Sequence, residues 1–233
     1  MRHQVAIEPS ILSADFANLG SQAKEAEDAG VEGIQIDVMD GHFVPNLTFG
    51  PGVVKALRAN VKLFLDAHLM IDNPHVFIGE FIKAGANRII VHQEVCKDLP
   101  SILSHIRDGG VEAGVAINPQ TSIQKLNGVL KMLDCVQIMT VNPGFAGQRF
   151  MEDQLEKIQA LRKELDSRHS DVQIVVDGGI DQETAPLAVR AGASILVAGS
   201  SIFNRFSSVS HNVKLLRNSV DRALTPVGSS RAN

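Results

Sequence analysis

Short β-branched runs alternate with longer amphipathic stretches along almost the whole chain, and this alternation limits the possible folds more than any other feature. The runs are Val5–Ile7, Ile34–Val38, Lys62–Ala67, Arg88–Val91, Glu112–Ala116, Val136–Met139, Gln173–Val176 and Ile195–Ala198. Helical patterns lie between them. Phe16–Gly30 places Leu19, Ala23, Ala26 and Ala29 on one face, and Phe150–Ser167 repeats Leu155, Ile158, Leu161 and Leu165 at helical spacing. Pro74–Gly85 follows Asn73, with proline suited to the first helical position, and Gln182–Gly192 closes on Ala-Gly. The same Ala-Gly ending recurs at Ala29-Gly30 and Ala84-Gly85, each leading into a new run, with Gly109-Gly110 similar.

A repeated strand–helix unit needs a parallel sheet covered by helices. Eight units in 233 residues predict an α/β protein with a single (β/α)8 TIM barrel domain, with a doubly wound sheet as the alternative. The barrel is assigned to residues 1–223. The polar segment 224–233, LTPVGSSRAN, is read as a disordered tail.

Composition excludes several classes. A net charge of −4 gives no basic footprint for nucleic acid, and the lack of Trp and Tyr removes aromatic stacking platforms. Cys96 and Cys135 form no CxxC pair, which fits a reducing, cytoplasmic setting. No apolar run reaches membrane-spanning length, and MRHQVAIEPS lacks the apolar core of a secretory signal.

The residues after the strands carry the chemistry. They are Glu8-Pro9-Ser10, Asp37 with Met39-Asp40-Gly41-His42, His68, His92, Asn118-Pro119, Thr140 with Asn142-Pro143-Gly144-Phe145-Ala146-Gly147, Asp177-Gly178-Gly179, and Gly199-Ser200. A closed barrel gathers these ends on one rim, where its active site forms. Glycine segments after the seventh and eighth strands suit a phosphate, because bare backbone N–H groups can approach it closely. Asp37 and Asp177, from separated strands, suit proton removal and proton delivery on two sides of a ligand. On the residues alone, two helix-capping aspartates remain the simpler reading of that pair. His68 between them makes a possible Asp–His–Asp metal set. Met39, Met70 and Met139 fall near the same rim, either as core or as an adaptable apolar lining. A Schiff-base aldolase would want a lysine at a strand end, which neither Lys62 nor Lys97 provides.

Several ordered motifs resemble the ribulose-phosphate 3-epimerase family. They are Pro9-Ser10-Ile11-Leu12-Ser13-Ala14-Asp15, Asp37-Val38-Met39-Asp40-Gly41-His42-Phe43-Val44-Pro45-Asn46, Thr48-Phe49-Gly50-Pro51, His68-Leu69-Met70, Met139-Thr140-Val141-Asn142-Pro143-Gly144-Phe145, Val176-Asp177-Gly178-Gly179-Ile180 and Val197-Ala198-Gly199-Ser200. The resemblance runs from about Ala6 to Arg217. It implies an isomerase that interconverts D-ribulose 5-phosphate and D-xylulose 5-phosphate through a metal-stabilised enediolate, working in the pentose phosphate pathway as a homo-oligomer. It also implies one divalent ion, Zn²⁺ or Fe²⁺ first, with Mn²⁺, Co²⁺ or Mg²⁺ as further options. By position, Asp37 and Asp177 would be acid/base groups and metal ligands, and His68 a ligand that also touches substrate. Ser10, Gly144, Phe145, Ala146, Gly147, Gly178, Gly179, Gly199 and Ser200 would contact the substrate, largely its phosphate.

Three positions depart from the family pattern. Gln35 stands where the family has a metal-binding histidine, Ala146 replaces a glycine, and Val175 replaces a frequent glutamate. The amide oxygen of Gln35 is a weaker, harder donor than imidazole, which predicts a retained but weaker metal site. An epimerase for a related ketose phosphate, such as D-allulose 6-phosphate or a tetrulose phosphate, shares these motifs. So would a metal-poor, non-catalytic sugar-phosphate-binding paralogue, although the intact Asp37, His68 and Asp177 speak against it.

Overall fold

The computed structural model describes residues 5–225. Its eight strands are β1 (Ala6–Pro9), β2 (Gly33–Met39), β3 (Phe64–Met70), β4 (Arg88–His92), β5 (Glu112–Ile117), β6 (Cys135–Met139), β7 (Gln173–Asp177) and β8 (Ile195–Ala198). Every pairing is parallel, in the order β1-β8-β7-β6-β5-β4-β3-β2. A bridge between Ser10 and Gln35 and a bond from Glu32 N to Ile7 O join β1 to β2 and close the ring. The expected TIM barrel is what the chain forms, as one domain.

The outer layer holds α1 (Leu19–Asp28), α2 (Pro51–Asn60), α3 (Ile78–Ala84), α4 (Leu99–Asp108), α5 (Gln154–Ser167), α6 (Ala185–Ala191) and α7 (Val209–Leu224). Local chemistry sets their ends. Asp98 caps α4 by accepting from Ser101 N, and Ser208 caps α7 by accepting from His211 N. Helices α3 and α6 stop on Gly85 and Gly192, both left-handed at φ 98° and 118°. Between β5 and β6 the helical layer is reduced to 3-10 turns at Ile123–Leu126 and Leu130–Met132. Among the described residues no helix is long and apolar enough to cross a membrane. Helix α7 ends on Leu224, the first residue of the segment read as a tail; residues 226–233 lie outside the described part.

Strand periodicity decides which residues reach the barrel axis. On β2, Ile34, Ile36 and Val38 face the helices and join the main core. Gln35, Asp37 and Met39 therefore share the inward face. Deeper in the barrel, Ile90, Ala116, Cys135, Val175, Ile195 and Val197 pack together. Val175 thus faces the interior, among apolar neighbours.

Candidate active site

The strand ends surround a cavity of about 490 Å³ at the C-terminal rim. Ser10, Asp37, Gly144, Phe145, Ala146, Gly147, Asp177, Gly178, Gly179, Gly199 and Ser200 all line it, as do Met39, Met70 and Met139. Lys62 and Lys97 do not. Gln35 and His68 sit just beneath, each fully buried, so they support the cavity floor rather than form its surface.

Asp37 and Asp177 meet at that floor. Asp37 Oδ1 accepts from Gln35 Nε2 at 2.8 Å and lies 2.8 Å from His68 Nδ1. Its Oδ2 accepts from the Ser10 hydroxyl, which also caps the turn after β1 by accepting from Leu12 N. Asp177 Oδ2 accepts from the same Gln35 Nε2 at 2.9 Å and from Gln137 Nε2 at 2.8 Å. Burial, together with the neighbouring charge of Asp37, pushes the Asp177 carboxyl up to about 7. Burial disfavours a charged His68, yet its hydrogen bond to Asp37 and the nearby carboxylates outweigh this and raise its pKa. A bare pair of buried carboxylates is costly. The surrounding N–H donors answer part of that cost, and a cation would answer the rest.

Ligand atoms of Asp37, His68 and Asp177 all lie within 4.8 Å of one another. The Gln35 side-chain oxygen beside them is buried without a partner. Two carboxylates, one imidazole and one idle amide oxygen suit a divalent metal ion. The donor set fits the group that the resemblance implies.

Sequence reasoning missed the support behind His68. His68 Nε2 lies 2.8 Å from His92 Nε2, and His92 Nδ1 lies 3.2 Å from Glu94 Oε2. Glu94 also accepts from Asn118 N and the Thr121 hydroxyl. These bonds overcome its burial and hold it down at about 2, so it is a carboxylate and accepts from His92 Nδ1–H. His92, held neutral by burial at about 4, then has only an acceptor at Nε2, which must receive Nε2–H from His68. That leaves His68 Nδ1 facing the two aspartates, the orientation a metal ligand needs. Gln137 was missed as well. It lies two residues before Met139 on the same strand face, and that spacing was the available signal.

The glycine segments form the cavity wall as expected. A Cβ on Gly179 (φ +66) would lie 2.4 Å from Phe150 N, so this corner accepts no side chain. The loop after β6 is tied down by Asn46 Nδ2 donating to Gly144 O at 2.8 Å. Ala146 is absent from the residues with positive φ, so its methyl strains nothing there.

The model of the ribulose-phosphate 3 epimerase family matches residues 6–203. The chain belongs to that family. It is 48% identical over 202 residues to the ribulose-phosphate 3-epimerase of Bacillus subtilis, covering 86% of this chain and 93% of that one. It is 47% identical over 204 residues to the chloroplastic ribulose-5-phosphate-3-epimerase of Arabidopsis thaliana, covering 87% and 73%. Among solved structures, 3-hexulose-6-phosphate synthase from Salmonella typhimurium superposes with a TM-score of 0.70 at 16% identity, over 94% of this chain and 99% of that one. A 3-keto-L-gulonate-6-phosphate decarboxylase from Vibrio cholerae gives 0.69 at 14% identity, over 96% and 100%. At such identities the likeness concerns the barrel alone. Family membership makes this chain an isomerase, and it matches the Asp–His–Asp cluster at the cavity floor.

Proposed function

We propose that this protein interconverts D-ribulose 5-phosphate and D-xylulose 5-phosphate by proton transfer at C3. The observation that carries the reading is the meeting of Asp37 and Asp177 at the floor of a glycine-walled cavity, in a chain of this family. The phosphate lies against Gly178, Gly179, Gly199 and Ser200, with Gly144–Gly147 closing over the sugar. Backbone N–H groups there supply donors without bulk. The three methionines give the carbon chain a soft apolar wall and keep water from the reacting carbon.

Asp37 takes the C3 proton in the ribulose-to-xylulose direction, leaving an enediolate. Asp177 returns a proton to the opposite face and inverts C3. The roles exchange in the reverse direction. The Ser10 hydroxyl holds the Asp37 carboxylate by its Oδ2, so that it stays aimed as the proton moves. A divalent ion held by Asp37, His68 and Asp177, with Gln35 as a weaker donor, would supply charge stabilisation for the developing oxyanions. Taken alone, the Asp–His–Asp set suits Zn²⁺ or Fe²⁺, and Mn²⁺, Co²⁺ and Mg²⁺ can also be accommodated. Two further parts of the proposal concern setting. Exposed Phe16, Leu47, Val76 and Phe77 on loops after β1, β2 and β3 support assembly as a homo-oligomer. The two buried free cysteines support a cytoplasmic location.

The test is coupled turnover of D-ribulose 5-phosphate by chelator-stripped protein, restoring one divalent ion at a time. Metal-dependent formation of D-xylulose 5-phosphate is the expected result. No turnover with any ion would replace this reading with another ketose phosphate or with a binding-only role.

A further inference from the structure

Gln137 is fully buried at the middle of β6, with its side chain directed to the barrel axis. Its Nε2 lies 2.8 Å from Asp177 Oδ2 and 3.1 Å from His68 Nδ1. From the other side, Gln35 Nε2 touches the same Asp177 oxygen and Asp37 Oδ1. The aspartate pair is thus held between two primary amides. Each amide leaves its oxygen, Gln35 Oε1 or Gln137 Oε1, buried without a partner. A dry interior gives such an oxygen strong reason to find a positive partner. Two idle amide oxygens at one three-ligand cluster have no structural use that the packing reveals.

Amide oxygen and nitrogen exchange places by a half-turn of the terminal torsion. In the turned form both oxygens point at the carboxylates, which is unfavourable unless a cation lies among them. The amides therefore donate to the aspartates when no cation is bound and serve as ligands when one is. The spacings agree. Neighbouring donor positions here are 2.8–3.1 Å apart, from Asp37 to His68, Asp37 to Gln35, Gln35 to Asp177, Asp177 to Gln137 and Gln137 to His68. Adjacent ligands of an octahedral ion with bonds of about 2.1 Å are separated by roughly 3 Å.

We infer that Gln137 is a metal ligand and that, with Gln35, it converts the centre into one with four oxygen donors and a single imidazole nitrogen. Such a set narrows the usual advantage of Zn²⁺ over Mn²⁺, since hard ions prefer oxygen and adopt higher coordination numbers. The inference rests on the metal-dependent reading of the site, and its test reads the metal directly, so a failure of the epimerase reading would show up separately.

The experiment uses the full chain stripped of metal. Mn²⁺ binding is followed by the loss of the free-ion paramagnetic resonance signal, and Zn²⁺ binding by competition with a chromophoric chelator. Gln137→Leu removes both amide atoms at nearly constant volume, and Gln137→Glu restores an oxygen donor. Gln137→Leu is expected to weaken Mn²⁺ about tenfold or more, with Zn²⁺ changed by less than about threefold. Gln137→Glu is expected to hold Mn²⁺ at least as tightly as the wild type. The inference is overturned if Gln137→Leu leaves Mn²⁺ affinity unchanged, or if both ions weaken by the same factor. Loss of Mn²⁺ from Gln137→Glu would overturn it too.

Discussion

Asp37 and Asp177 share one donor, the Gln35 amide, so a change at either carboxylate is felt by the other. Asp177→Asn keeps the shape and removes the proton carrier. We expect turnover to fall by about 10³-fold, as for loss of a positioned acid or base, while binding of a sugar phosphate changes only a few-fold. Turnover near that of the wild type would sink the two-aspartate scheme. The Glu94–His92–His68 chain makes a second prediction. Glu94→Gln preserves size but weakens the hold on His92, freeing His68 to take the wrong tautomer. Zn²⁺ affinity, read by chelator competition, should fall about tenfold; an unchanged affinity would show that His68 needs no such support. Asp37, His68 and Asp177 were legible in the sequence because each stands at or near a strand end. Gln137 and Glu94 were not: a two-residue period fixes the face of Gln137 but not what lies across the barrel from it, and Glu94 stands in the turn after β4, where no strand period applies.

At the scale of elements, β8 matches its expected bounds and β4 is one residue longer than expected, while β3 shows what pattern reading loses. Expected at Lys62–Ala67, β3 runs Phe64–Met70 and so contains His68. Polarity made His68 look like a loop residue, yet an inward-facing position in a barrel tolerates it when partners wait there. Expected helices also begin late. Phe16–Asn18 and Pro74–Val76 are 3-10 turns that precede α1 and α3, shaped by local capping such as Asp15 accepting from Ala17 N. The turn after β7 makes the third prediction. Gly179→Ala places a methyl against the Phe150 backbone in a left-handed conformation. The variant should lose about 1–3 kcal/mol of stability and bind substrate more weakly, raising KM more than it lowers kcat. Thermal unfolding and steady-state kinetics check both parts, and wild-type values in both would mean that the corner relaxes freely.

For the whole molecule, polar groups run down the barrel axis below the site, and their charges do not balance. Arg88 on β4 is 1% exposed, and its Nη2 contacts Glu8 Oε2 at 2.6 Å and Asp66 Oδ2 at 2.7 Å. Two buried carboxylates thus face one guanidinium. Burial pushes Glu8 up to about 7, against an ordinary value of 4.5, despite the pull of Arg88. A carboxyl raised on folding binds its proton more tightly in the native state. Its contribution to stability is therefore complete below about pH 4.5 and is lost as the pH climbs through about 7. Glu8→Gln removes that titration and leaves Asp66 as the one buried carboxylate on Arg88, whose Nη1 also lies 3.5 Å from the half-exposed Glu112 Oε2. The variant should gain on the wild type between pH 5 and pH 8, by up to about 3 kcal/mol, when urea unfolding is compared at the two pH values. A difference between variant and wild type that is the same at both would mean that Glu8 is ionised throughout. The opposite change, Arg88→Met, strands both carboxylates and should cost about 3–5 kcal/mol. An epimerase barrel with a charged base beneath a charged site would then owe part of its pH range to residues that never meet the substrate.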